Sequence, residues 1–553
     1  MNWPRLYLEA MQSGEEVVSA KVRTVYEREV AWMDSPPDGF HFDEEVGERP
    51  ITFIERYCRH SKGKWGRQQL QLELFQKAKI QLAFGWLDFE GHRRFREVVD
   101  ERGRKCGKST ETAAVELFML IADGENGGEV YCTANKLDQA KLIFNEAVNM
   151  RAQSEAIRSI TKKRQSDIYF PATFSSLKAL ASDTSTMDGL NAHFFSLDEF
   201  HEAKTSGVYD VMIQSQAARE QPLAWLISTN GFVREAFFDS KYSYCSKVAM
   251  WEDGFHDYRM LPLLYELDSR DEWTNPKAWG KANPGLGKIK SIVTLADQVE
   301  KAKRDPTFLP TVLTKDFNMP ENTSAAAMTY EEVVNETVVP MEFLKHSYAV
   351  GGCDLSAVRD LTAATLLIKK PNDPNFYVLQ QCFLPQARVD VVEQSNAREA
   401  PYRLWAEQGW LTICEGATID FHAVTEWFKQ MVEVHDIRPL YLGYDRALSG
   451  YWAEDMISEG FDIEKIAQGP RTWTYPFKQL IGLFQEHKVV YQNSPLLRWA
   501  SLNVGIKSLN TDGIQSITPV KSSDSKRIDP FVSLLNAYTC YLNHENEFNN
   551  YVR

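Results

Sequence analysis

The triplet Gly107-Lys108-Ser109 is the first part of the sequence whose residue types and spacing could do chemistry. It ends a basic loop between a predicted strand and a predicted helix. In such a loop, backbone amides and a helix N-terminus bind phosphates, a lysine contacts the terminal phosphate and a serine hydroxyl ligates Mg²⁺. The first glycine of the usual pattern is replaced by Arg102, so the triplet alone could also be a chance match. The predicted phosphate-binding residues are Arg104, Lys105, Cys106, Gly107, Lys108, Ser109 and Thr110.

Two adjacent acids, Asp198 and Glu199, close an apolar run that starts at His193. If this run is a buried strand, Asp198 can hold Mg²⁺ together with Ser109. Glu199 can then orient and deprotonate an attacking water. Taken by itself, an acidic pair at a strand end is more often a solvated turn. The loop and the acidic strand end in this order predict an ATPase site with ATP and Mg²⁺ as its cofactors.

Further positions fit a nucleotide site less specifically. Thr229 ends an apolar run in a Ser-Thr-Asn segment, and in motor ATPases such a strand end senses the γ-phosphate. Phe75 and Gln76 lie where an adenine-contacting element is expected, although core packing explains Phe75 equally well. The guanidinium of Arg104 could act as an arginine finger in cis, or it could be a solvated loop side chain.

Aspartates in the second half of the chain predict a different site. Asp354 and Asp445 end predicted strands, Asp360 lies on the turn after the first, and Asp529 opens the last predicted helix. In an RNase H-like fold, the first strand, the fourth strand and a C-terminal helix meet at one edge of the sheet. Clustered carboxylates repel and need divalent cations, and two Mg²⁺ or Mn²⁺ ions can cleave a phosphodiester. Each aspartate alone is weak evidence, because Asp529 could be only a helix cap.

The elements that must position these residues alternate between short apolar strands and helical patterns, which predicts an α/β protein. We expect an N-terminal P-loop ATPase domain of the RecA-like (ASCE) type with a mainly parallel sheet, and a C-terminal RNase H-like nuclease domain. The strands predicted for the first domain are 95–100, 129–133, 177–182, 193–197 and 223–228. The elements predicted for the second are strands 348–353, 363–368, 376–382 and 440–444 and helices 424–434 and 530–542.

Changes of pattern along the chain predict four segments. Residues 1–60 are an N-terminal helical appendage, 61–231 the P-loop ATPase core, 232–329 a helical lid or linker subdomain, and 330–553 the nuclease domain. The polar and alanine-rich run at 322–327 is typical of a linker.

The composition is that of a globular protein, with 43% hydrophobic and 25% charged residues among 553. No apolar stretch reaches the roughly 20 residues of a membrane span, and the N-terminus lacks a signal-peptide core. Eight scattered cysteines favour free thiols over disulfides or zinc ligands. A net charge of −14 argues against static coating of DNA but permits a locally basic groove. The basic candidates are Lys162, Lys163, Arg164, Lys288, Lys290, Lys521, Lys526 and Arg527.

The order of these motifs resembles the large terminase subunit of tailed bacteriophages. The main motifs are R-K-x-G-K-S, L-D-E-F-H-E, S-T-N, D-L-S-x-x-x-D, Y-D-R and R-I-D-P, supported by L-F-Q, F-G-W, D-G-L-N, W-G-K-A-N-P-G-L and K-D-F-N. The resemblance runs from about Gln68 to the C-terminus and covers both domains in order. It implies a DNA-packaging ATPase followed by a nuclease that cuts concatemeric DNA.

The resemblance also implies residue roles and partners. It makes Lys108 and Ser109 the phosphate and Mg²⁺ ligands, Asp198 the metal partner, Glu199 the base and Thr229 the coupling residue. It makes Asp354, Asp445 and Asp529 a nuclease triad, with Asp360 a fourth carboxylate. The implied partners are double-stranded viral DNA, the portal protein of the procapsid, the small terminase subunit and further copies of the chain in a ring, expected to be a pentamer. These act in the host cytoplasm, without a membrane and outside the mature virion. The arginine donated in trans is unplaced, with Arg151, Arg158 and Arg219 as unranked candidates.

Three other functions compete with this interpretation. A P-loop helicase or translocase without nuclease activity predicts a second RecA-like domain after Gly231, where the sequence instead has a strand-rich domain with acidic strand ends. A non-enzymatic packaging scaffold predicts the loss of Lys108 or Glu199, and both are present. A transposase-like nuclease with an accessory nucleotide domain needs no complete set of ATPase motifs.

Overall fold

The chain folds into two compact units in the computed structural model. The N-terminal unit contains Met1–Gly231 and Phe237–Pro320, and the C-terminal unit contains Glu321–Arg553. The residues described are 1–180, 189–203, 206–231, 237–305, 308–321, 326–356, 360–394, 400–445, 450–511, 514–522 and 526–552. In this part of the chain, no helix is both long and apolar enough to cross a membrane. All eight cysteines are free thiols, and all but Cys414 are buried.

The N-terminal unit combines helices with one large sheet and one small hairpin-like pair. Its helices are α1 (Trp3–Ser13), α2 (Ala20–Asp34), α3 (Glu44–Tyr57), α4 (Leu74–Gly85), α5 (Lys108–Ile121), α6 (Leu137–Gln153), α7 (Glu155–Ile160), α8 (Gly207–Ser215), α9 (Phe237–Met250), α10 (Ile292–Arg304) and α11 (Leu309–Asp316). Its strands are β1 (Phe40–Phe42), β2 (Trp86–Asp88), β3 (Glu97–Glu101), β4 (Glu129–Ala134), β5 (Lys162–Lys163), β6 (Asp167–Phe170), β7 (Ser175–Ala179), β8 (Ala192–Asp198), β9 (Leu223–Ser228) and β10 (Met260–Leu264).

Eight strands form the large sheet in the order β10-β3-β9-β8-β4-β7-β6-β5. Every pair from β10 to β7 is parallel, and only β7–β6 and β6–β5 are antiparallel. The central strands β3, β8 and β9 are buried at every position because helices cover both faces of a parallel sheet. Successive residues such as Phe194 and Phe195 therefore enter two different hydrophobic clusters. The mainly parallel sheet predicted from the sequence is confirmed.

The segments on either side of the predicted ATPase core fold onto the same unit. Residues of α1–α3 such as Tyr7, Tyr26 and Ile51 are fully buried in the main core, and the Ser19 hydroxyl donates to the carbonyl oxygen of Leu264. Strand β10 extends the large sheet beside β3. The boundaries near 60, 231 and 329 stay predictions, and part of the predicted linker lies outside the described residues.

The C-terminal unit is a second α/β unit with a mixed sheet. Its helices are α12 (Tyr330–Val333), α13 (Met341–Leu344), α14 (Gln386–Gln394), α15 (Tyr402–Glu407), α16 (His422–Glu433), α17 (Gly450–Ser458), α18 (Pro470–Gln485), α19 (Pro495–Leu502), α20 (Asp529–Asn543) and α21 (Glu545–Tyr551). Its strands are β11 (Ser347–Asp354), β12 (Thr362–Lys369), β13 (Phe376–Pro385), β14 (Leu411–Cys414), β15 (Ile437–Asp445), β16 (Ile463–Ile466), β17 (Val489–Val490), β18 (Val504–Thr511) and β19 (Ile514–Lys521).

The mixed sheet has the order β14-β13-β12-β11-β15-β16, with β17 beside β13. Strands β11, β12 and β13 are antiparallel, whereas β15 and β16 continue the sheet in parallel from β11. Strand β11 therefore lies between β12 and β15 in the middle of the sheet, as expected for the first strand of the RNase H-like nuclease fold. Strand β14, which was not predicted from the sequence, makes β15 the fifth strand of the unit and not the fourth. Helix α20 packs across β11, β12 and β15. Its N-terminus thereby comes to the carboxyl end of the first strand.

Candidate functional sites: a phosphate-binding loop and a carboxylate cluster

The carboxyl ends of three neighbouring strands form the candidate site of the N-terminal unit. Strands β3, β9 and β8 are adjacent and parallel, and β8 ends at Asp198 while β9 ends at Ser228. Parallel neighbours end at the same edge of a sheet. The loop after β3 therefore lies at the same edge as the acidic pair and Thr229. The structure brings together the three ATPase elements that the sequence predicts.

The loop between β3 and α5 has a backbone suited to binding phosphate. Lys105 and Gly107 have positive φ angles of 65° and 81°, and Gly107 directly precedes the first residue of α5. The unpaired amides of the helix N-terminus thus open at the loop, and Ser109 is exposed there. The Nζ of Lys108 donates to the carbonyl oxygen of Arg102 at 2.6 Å. Burial lowers the pKa of this lysine, while the charge of Glu199 raises it.

Arg102, which replaces the usual first glycine, points away from solvent into a buried ionic cluster. Its guanidinium lies 2.8 Å from carboxylate oxygens of both Asp100 and Glu111, and its Nη1 donates to the carbonyl oxygen of Cys106 at 3.1 Å. Lys79 contacts the same two carboxylates. Burial alone would lower the pKa of Arg102, but the two carboxylates hold it above its ordinary value. Arg102, the residue that departs from the usual pattern, therefore supports the loop from beneath through these buried ionic contacts.

The acidic pair at the end of β8 has two opposite electrostatic environments. Burial, and then the charge of Glu199, raise the pKa of Asp198 to about 7. Burial also raises the pKa of Glu199, but the contact with His201 and the charges of Lys108 and Lys315 outweigh it and bring that pKa to about 2. Asp198 is thus the carboxylate that a divalent cation would stabilise most. Glu199 is kept ionised by cations of the protein itself.

Two backbone hydrogen bonds hold the phosphate-binding loop against a later segment of the chain. The amide of Gly103 donates to the carbonyl oxygen of Ala282 at 2.9 Å, and the amide of Arg104 donates to that of Lys315 at 2.8 Å. A Cβ on Gly103 would lie 2.3 Å from Oδ1 of Asn283, so a side chain does not fit there. The motifs W-G-K-A-N-P-G-L and K-D-F-N therefore contribute residues that shape the loop.

Lys290 is part of this support and not of a basic surface. It is buried, and its Nζ lies 2.8 Å from Asp316 and 2.6 Å from Asn283. The prediction of a DNA-binding patch at Lys288 and Lys290 is therefore wrong for Lys290, because its charge is neutralised inside the fold. The sequence itself argues against a basic patch at this position, because Lys290 follows a glycine-rich turn and is not part of a run of basic residues.

The less specific candidates have mixed placements. Thr229 is fully buried, and its Oγ1 has no hydrogen-bond partner among the described residues. Phe75 is buried against Arg102 and Tyr265, and the Gln76 amide donates to Glu111 at 2.8 Å. Both side chains pack beneath the loop, so their contact with adenine stays a prediction. Arg104 is exposed on the loop, where an arginine finger in cis would need to be.

The candidate site of the C-terminal unit forms where β11 and β15 lie side by side and α20 packs closely against both. Cys353 pairs with Tyr444 in the parallel pair β11–β15, so Asp354 and Asp445 follow side by side. A Cβ on Gly352 would lie 2.3 Å from backbone atoms of α20, and a Cβ on Gly443 would lie 2.9 Å from them. Only glycine at these positions lets α20 lie this close to the sheet. Asp529, the first residue of α20, therefore comes to the ends of both strands.

Two hydrogen bonds from α20 fix this arrangement. The Ser533 hydroxyl donates to the carbonyl oxygen of Gly352 at 2.9 Å, and the Asn536 amide donates to that of Cys353 at 2.8 Å. Gln468, which the sequence did not predict, donates to Oδ1 of Asp354 at 3.4 Å.

The carboxylates of this site repel one another. Burial, and then the charge of Asp529, hold the pKa of Asp354 well above its usual range, and Asp445 adds to this effect. Burial and the charge of Asp360 raise the pKa of Asp529 to about 6. Asp360 differs because it pairs with Arg527 at 2.8 Å and with Lys521 at 3.3 Å. Two of the basic residues named from the sequence, Lys521 and Arg527, thus lie at the carboxylates.

The donor set fits divalent cations on two observations. Among the described residues, the Oδ2 of Asp529 is buried without a hydrogen-bond partner, and neighbouring carboxylates add to burial in raising the pKa of Asp354. In the described part of the chain, these carboxylates do not form a set of three with ligand atoms within 4.8 Å of one another. Glu464, Cys540 and His544 do form such a set. Within it, His544 and Glu464 are already joined by a hydrogen bond 2.9 Å long.

The remaining sequence candidates stay predictions. Lys162, Lys163 and Arg164 are exposed at a sheet edge. Arg219 is engaged by Glu125 at 2.7 Å, and Arg151 donates to Thr161 at 2.8 Å. Arg446 of the Y-D-R motif and the aspartate of D-G-L-N lie outside the described residues.

Comparison with known proteins assigns both units. A family model described as "Terminase large subunit, ATPase domain" matches residues 74–247, and one described as "Terminase large subunit, endonuclease domain" matches residues 255–545. The terminase large subunit of Enterobacteria phage HK97 is 26% identical over 501 residues, which are 88% of this chain and 94% of that protein. The terminase large subunit of Lactococcus phage p2 is 24% identical, over 79% of this chain and 80% of its own length. The crystal structure of the HK97 large terminase covers 89% of this chain and 99% of its own, with 24% identity and a TM-score of 0.47.

Proposed function

Because this chain belongs to the terminase large-subunit family and has its ATPase and endonuclease domains, we propose that the two sites described above are its two catalytic centres. ATP hydrolysis at the first drives viral DNA into the procapsid, and a metal-dependent nuclease at the second cuts concatemeric DNA. The observation that carries this proposal is convergence. Motifs far apart in sequence meet at one sheet edge in each unit, and each edge has the charges that its reaction needs.

At the ATPase site, Lys108 turns from its own loop carbonyl to the β- and γ-phosphates, and the amides before Ser109 hold the phosphate oxygens. Mg²⁺ held by Ser109 and Asp198 would neutralise phosphate charge. Glu199 orients the attacking water and accepts its proton. The contact with His201 and the charges of Lys108 and Lys315 keep Glu199 ionised, so its carboxylate can accept a hydrogen bond from the water. Thr229, at the neighbouring strand end, senses whether the γ-phosphate is present.

At the nuclease site, Asp354, Asp445 and Asp529 would hold two Mg²⁺ or Mn²⁺ ions. These cations supply an activated water and stabilise the leaving oxygen of the phosphodiester. Asp360 lies beside this set and is partly neutralised by Arg527 and Lys521. These two side chains are suited to bind the DNA phosphate next to the cleaved bond.

The partners follow from family membership. We propose that the chain acts on double-stranded viral DNA in the host cytoplasm, together with a portal protein, a small terminase subunit and further copies of itself in a ring. An arginine from the neighbouring copy would complete the ATPase site, and Arg151, Arg158 and Arg219 are candidates.

The test uses the full chain and two matched substitutions. Glu199→Gln should lower the rate of ATP hydrolysis by about 10²–10⁴-fold while ATP still binds, because an amide cannot accept the proton. Asp354→Asn should reduce Mn²⁺-dependent plasmid cleavage to about 1% or less, because a charged metal ligand is lost. Each variant is the control for the other, since Glu199→Gln should still cut DNA and Asp354→Asn should still hydrolyse ATP.

Contrary results separate the alternatives. ATP turnover near wild type in Glu199→Gln would remove Glu199 from the mechanism. Wild-type protein that hydrolyses ATP but cuts no plasmid with Mn²⁺ would favour a translocase without a nuclease. Absence of both activities in the wild-type chain would favour a packaging scaffold.

A further inference from the structure

The side chain of His201 lies directly behind the proposed base of the ATPase site. Glu199 has a positive φ of 49°, and the tight turn at Phe200–Glu202 then brings His201 back toward it. The Nδ1 of His201 is 3.0 Å from Oε2 of Glu199 and 2.9 Å from the hydroxyl of Ser228. His201 is buried, with 4% of its surface exposed. A buried imidazole with one ring nitrogen aimed at a catalytic carboxylate can fix the orientation of that carboxylate.

Lys315 defines which ring nitrogen of His201 carries the proton. Its Nζ lies 2.5 Å from Nε2 of the imidazole. An ammonium group has only donors, so Nε2 must be the acceptor and the ring proton must be on Nδ1. The hydroxyl of Ser228 donates to the carbonyl oxygen of Thr229 at 2.8 Å and accepts from the backbone amide of His201 at 3.1 Å, which leaves a lone pair for the imidazole. The Nδ1 proton therefore points toward Ser228, and the Oε2 of Glu199 lies close to the same N–H group.

The electrostatics agree with this geometry. Burial lowers the pKa of His201 against the opposing effect of Glu199, so the ring is neutral with a single proton. The Oε2 of Glu199 lies off the direction of the Nδ1–H bond, and no group among the described residues makes a hydrogen bond to it. Its attraction to Nδ1 is mainly that of a carboxylate to a polar N–H group. Loss of that group would free the carboxylate to rotate.

The same lysine contacts the other two elements of the site. Its backbone carbonyl accepts from the amide of Arg104 in the phosphate-binding loop at 2.8 Å. Its Nζ also lies 3.4 Å from the carbonyl oxygen of Asn230, at the end of β9. Three residues further on, the side chain of Asn318 accepts from the amide of Asn230 at 3.1 Å. The segment from Lys315 to Asn318 therefore contacts the phosphate-binding loop, the histidine behind the proposed base and the residues that follow β9.

We propose that His201 is a positioning residue that holds Glu199 through its Nδ1 proton, and that Lys315 acts through His201 by fixing the ring's tautomer. This inference rests on the proposed role of Glu199. It adds two residues to the ATPase reaction that touch neither nucleotide nor metal. It also explains why the fourth residue of the D-E-F-H motif is a histidine.

The test compares substitutions at one position in the full chain. The amide nitrogen of asparagine takes the place of Nδ1, whereas that of glutamine takes the place of Nε2. His201→Asn should therefore keep kcat for ATP within about 5-fold of wild type, and His201→Ala and His201→Gln should lower it by about 10–100-fold, as expected when a catalytic group loses its alignment. The KM for ATP should stay within about 3-fold in all three. Asparagine that is no better than alanine or glutamine would overturn the proposal.

A double-mutant cycle tests the part assigned to Lys315. Lys315→Met should lower kcat by about 5–10-fold in the wild-type background and have no further effect in His201→Ala, because both act along one path. Independent, multiplying effects would show that Lys315 does not act through His201. If His201→Ala does not fold, the Asn and Gln variants and Lys315→Met still decide. If Glu199→Gln is inactive while all three His201 variants match wild type, this inference fails and the proposed function stands.

Discussion

The ATPase site and the nuclease site are both built from buried carboxylates, but they differ in where the compensating positive charge comes from. At the ATPase site the protein supplies it, because the charges of Lys108 and Lys315 act together with the contact from the neutral His201 ring to bring the pKa of Glu199 to about 2. At the nuclease site the positively charged side chains of the protein pair with Asp360, and the pKa of Asp529 is raised to about 6. The first site is arranged in advance by the fold. In the proposed mechanism, the second would need metal ions for its stability as well as its chemistry.

A finer version of this contrast exists inside the ATPase site. Glu199, which we propose as the base, is kept ionised by neighbouring side chains, whereas burial and the charge of Glu199 raise the pKa of its neighbour Asp198 to about 7. Asp198 and Asp354, which we propose as metal ligands in the two units, thus both have a pKa raised by burial and by neighbouring carboxylates. The contrast therefore separates residues by role and does not simply separate the two domains.

The largest effect is expected where the protein's own charges are most deeply buried. Arg102→Met should destabilise the N-terminal unit by about 3–5 kcal/mol, because Asp100 and Glu111 would share only Lys79. Hydrogen exchange of β3 and α5 peptides would measure this loss of stability. Arg104→Met, in the same loop but exposed, is the matched control and should change it by less than about 0.5 kcal/mol. Equal stability of the two variants would mean that the buried ionic cluster does not stabilise the N-terminal unit.

The elements around both sites could largely be predicted from sequence, because local pattern sets them. Strand β9 has the predicted bounds, and β8, β11 and α20 differ by one or two residues. Strand β10 was missed because Pro262 interrupts its apolar run. The structure tolerates this proline because β10 is an edge strand, where an unpaired backbone position costs little.

The contacts that complete the two sites could not be predicted from local sequence pattern, because they join residues that are close only in the folded chain. Gly352 and Gly443 look like ordinary strand glycines until α20 is seen against them. Arg102 was noted from the sequence only as a replacement for the first glycine, yet its surface is entirely buried. His201 and Lys315 are separated by 114 positions and meet only in the fold. Residue types and order identified the chemistry, and packing supplied the residues that support it.

A smaller effect should single out Asp360 among the four nuclease carboxylates. Its partners Arg527 and Lys521 already neutralise it, so Asp360→Asn removes less metal-binding charge than Asp354→Asn does. We expect cleavage to fall by about 10-fold for Asp360→Asn, against at least about 100-fold for Asp354→Asn. Initial rates of plasmid nicking over a range of Mn²⁺ concentrations would measure both. A loss at Asp360 as large as that at Asp354 would place Asp360 among the essential ligands and weaken the contrast.

The smallest effect has an unusual sign, because removing a catalytic residue should stabilise the protein. Without divalent metal, Asp354 raises the energy of the folded state through burial and the charges of Asp529 and Asp445. In EDTA at neutral pH, Asp354→Asn should therefore be more stable than wild type by about 1 kcal/mol, or about 2–4 °C in the melting temperature of a unit of this size.

Mn²⁺ should reverse this order, since it stabilises only the protein that binds it. The melting temperature of wild type should be higher with Mn²⁺ than with EDTA, while the melting temperature of Asp354→Asn should rise much less. Glu486→Gln, which removes an exposed carboxylate at the end of α18, would control for general effects of substitution. If Asp354→Asn is less stable than wild type in EDTA, the carboxylates do not repel as the structure indicates, and the two sites do not differ in the source of their positive charge.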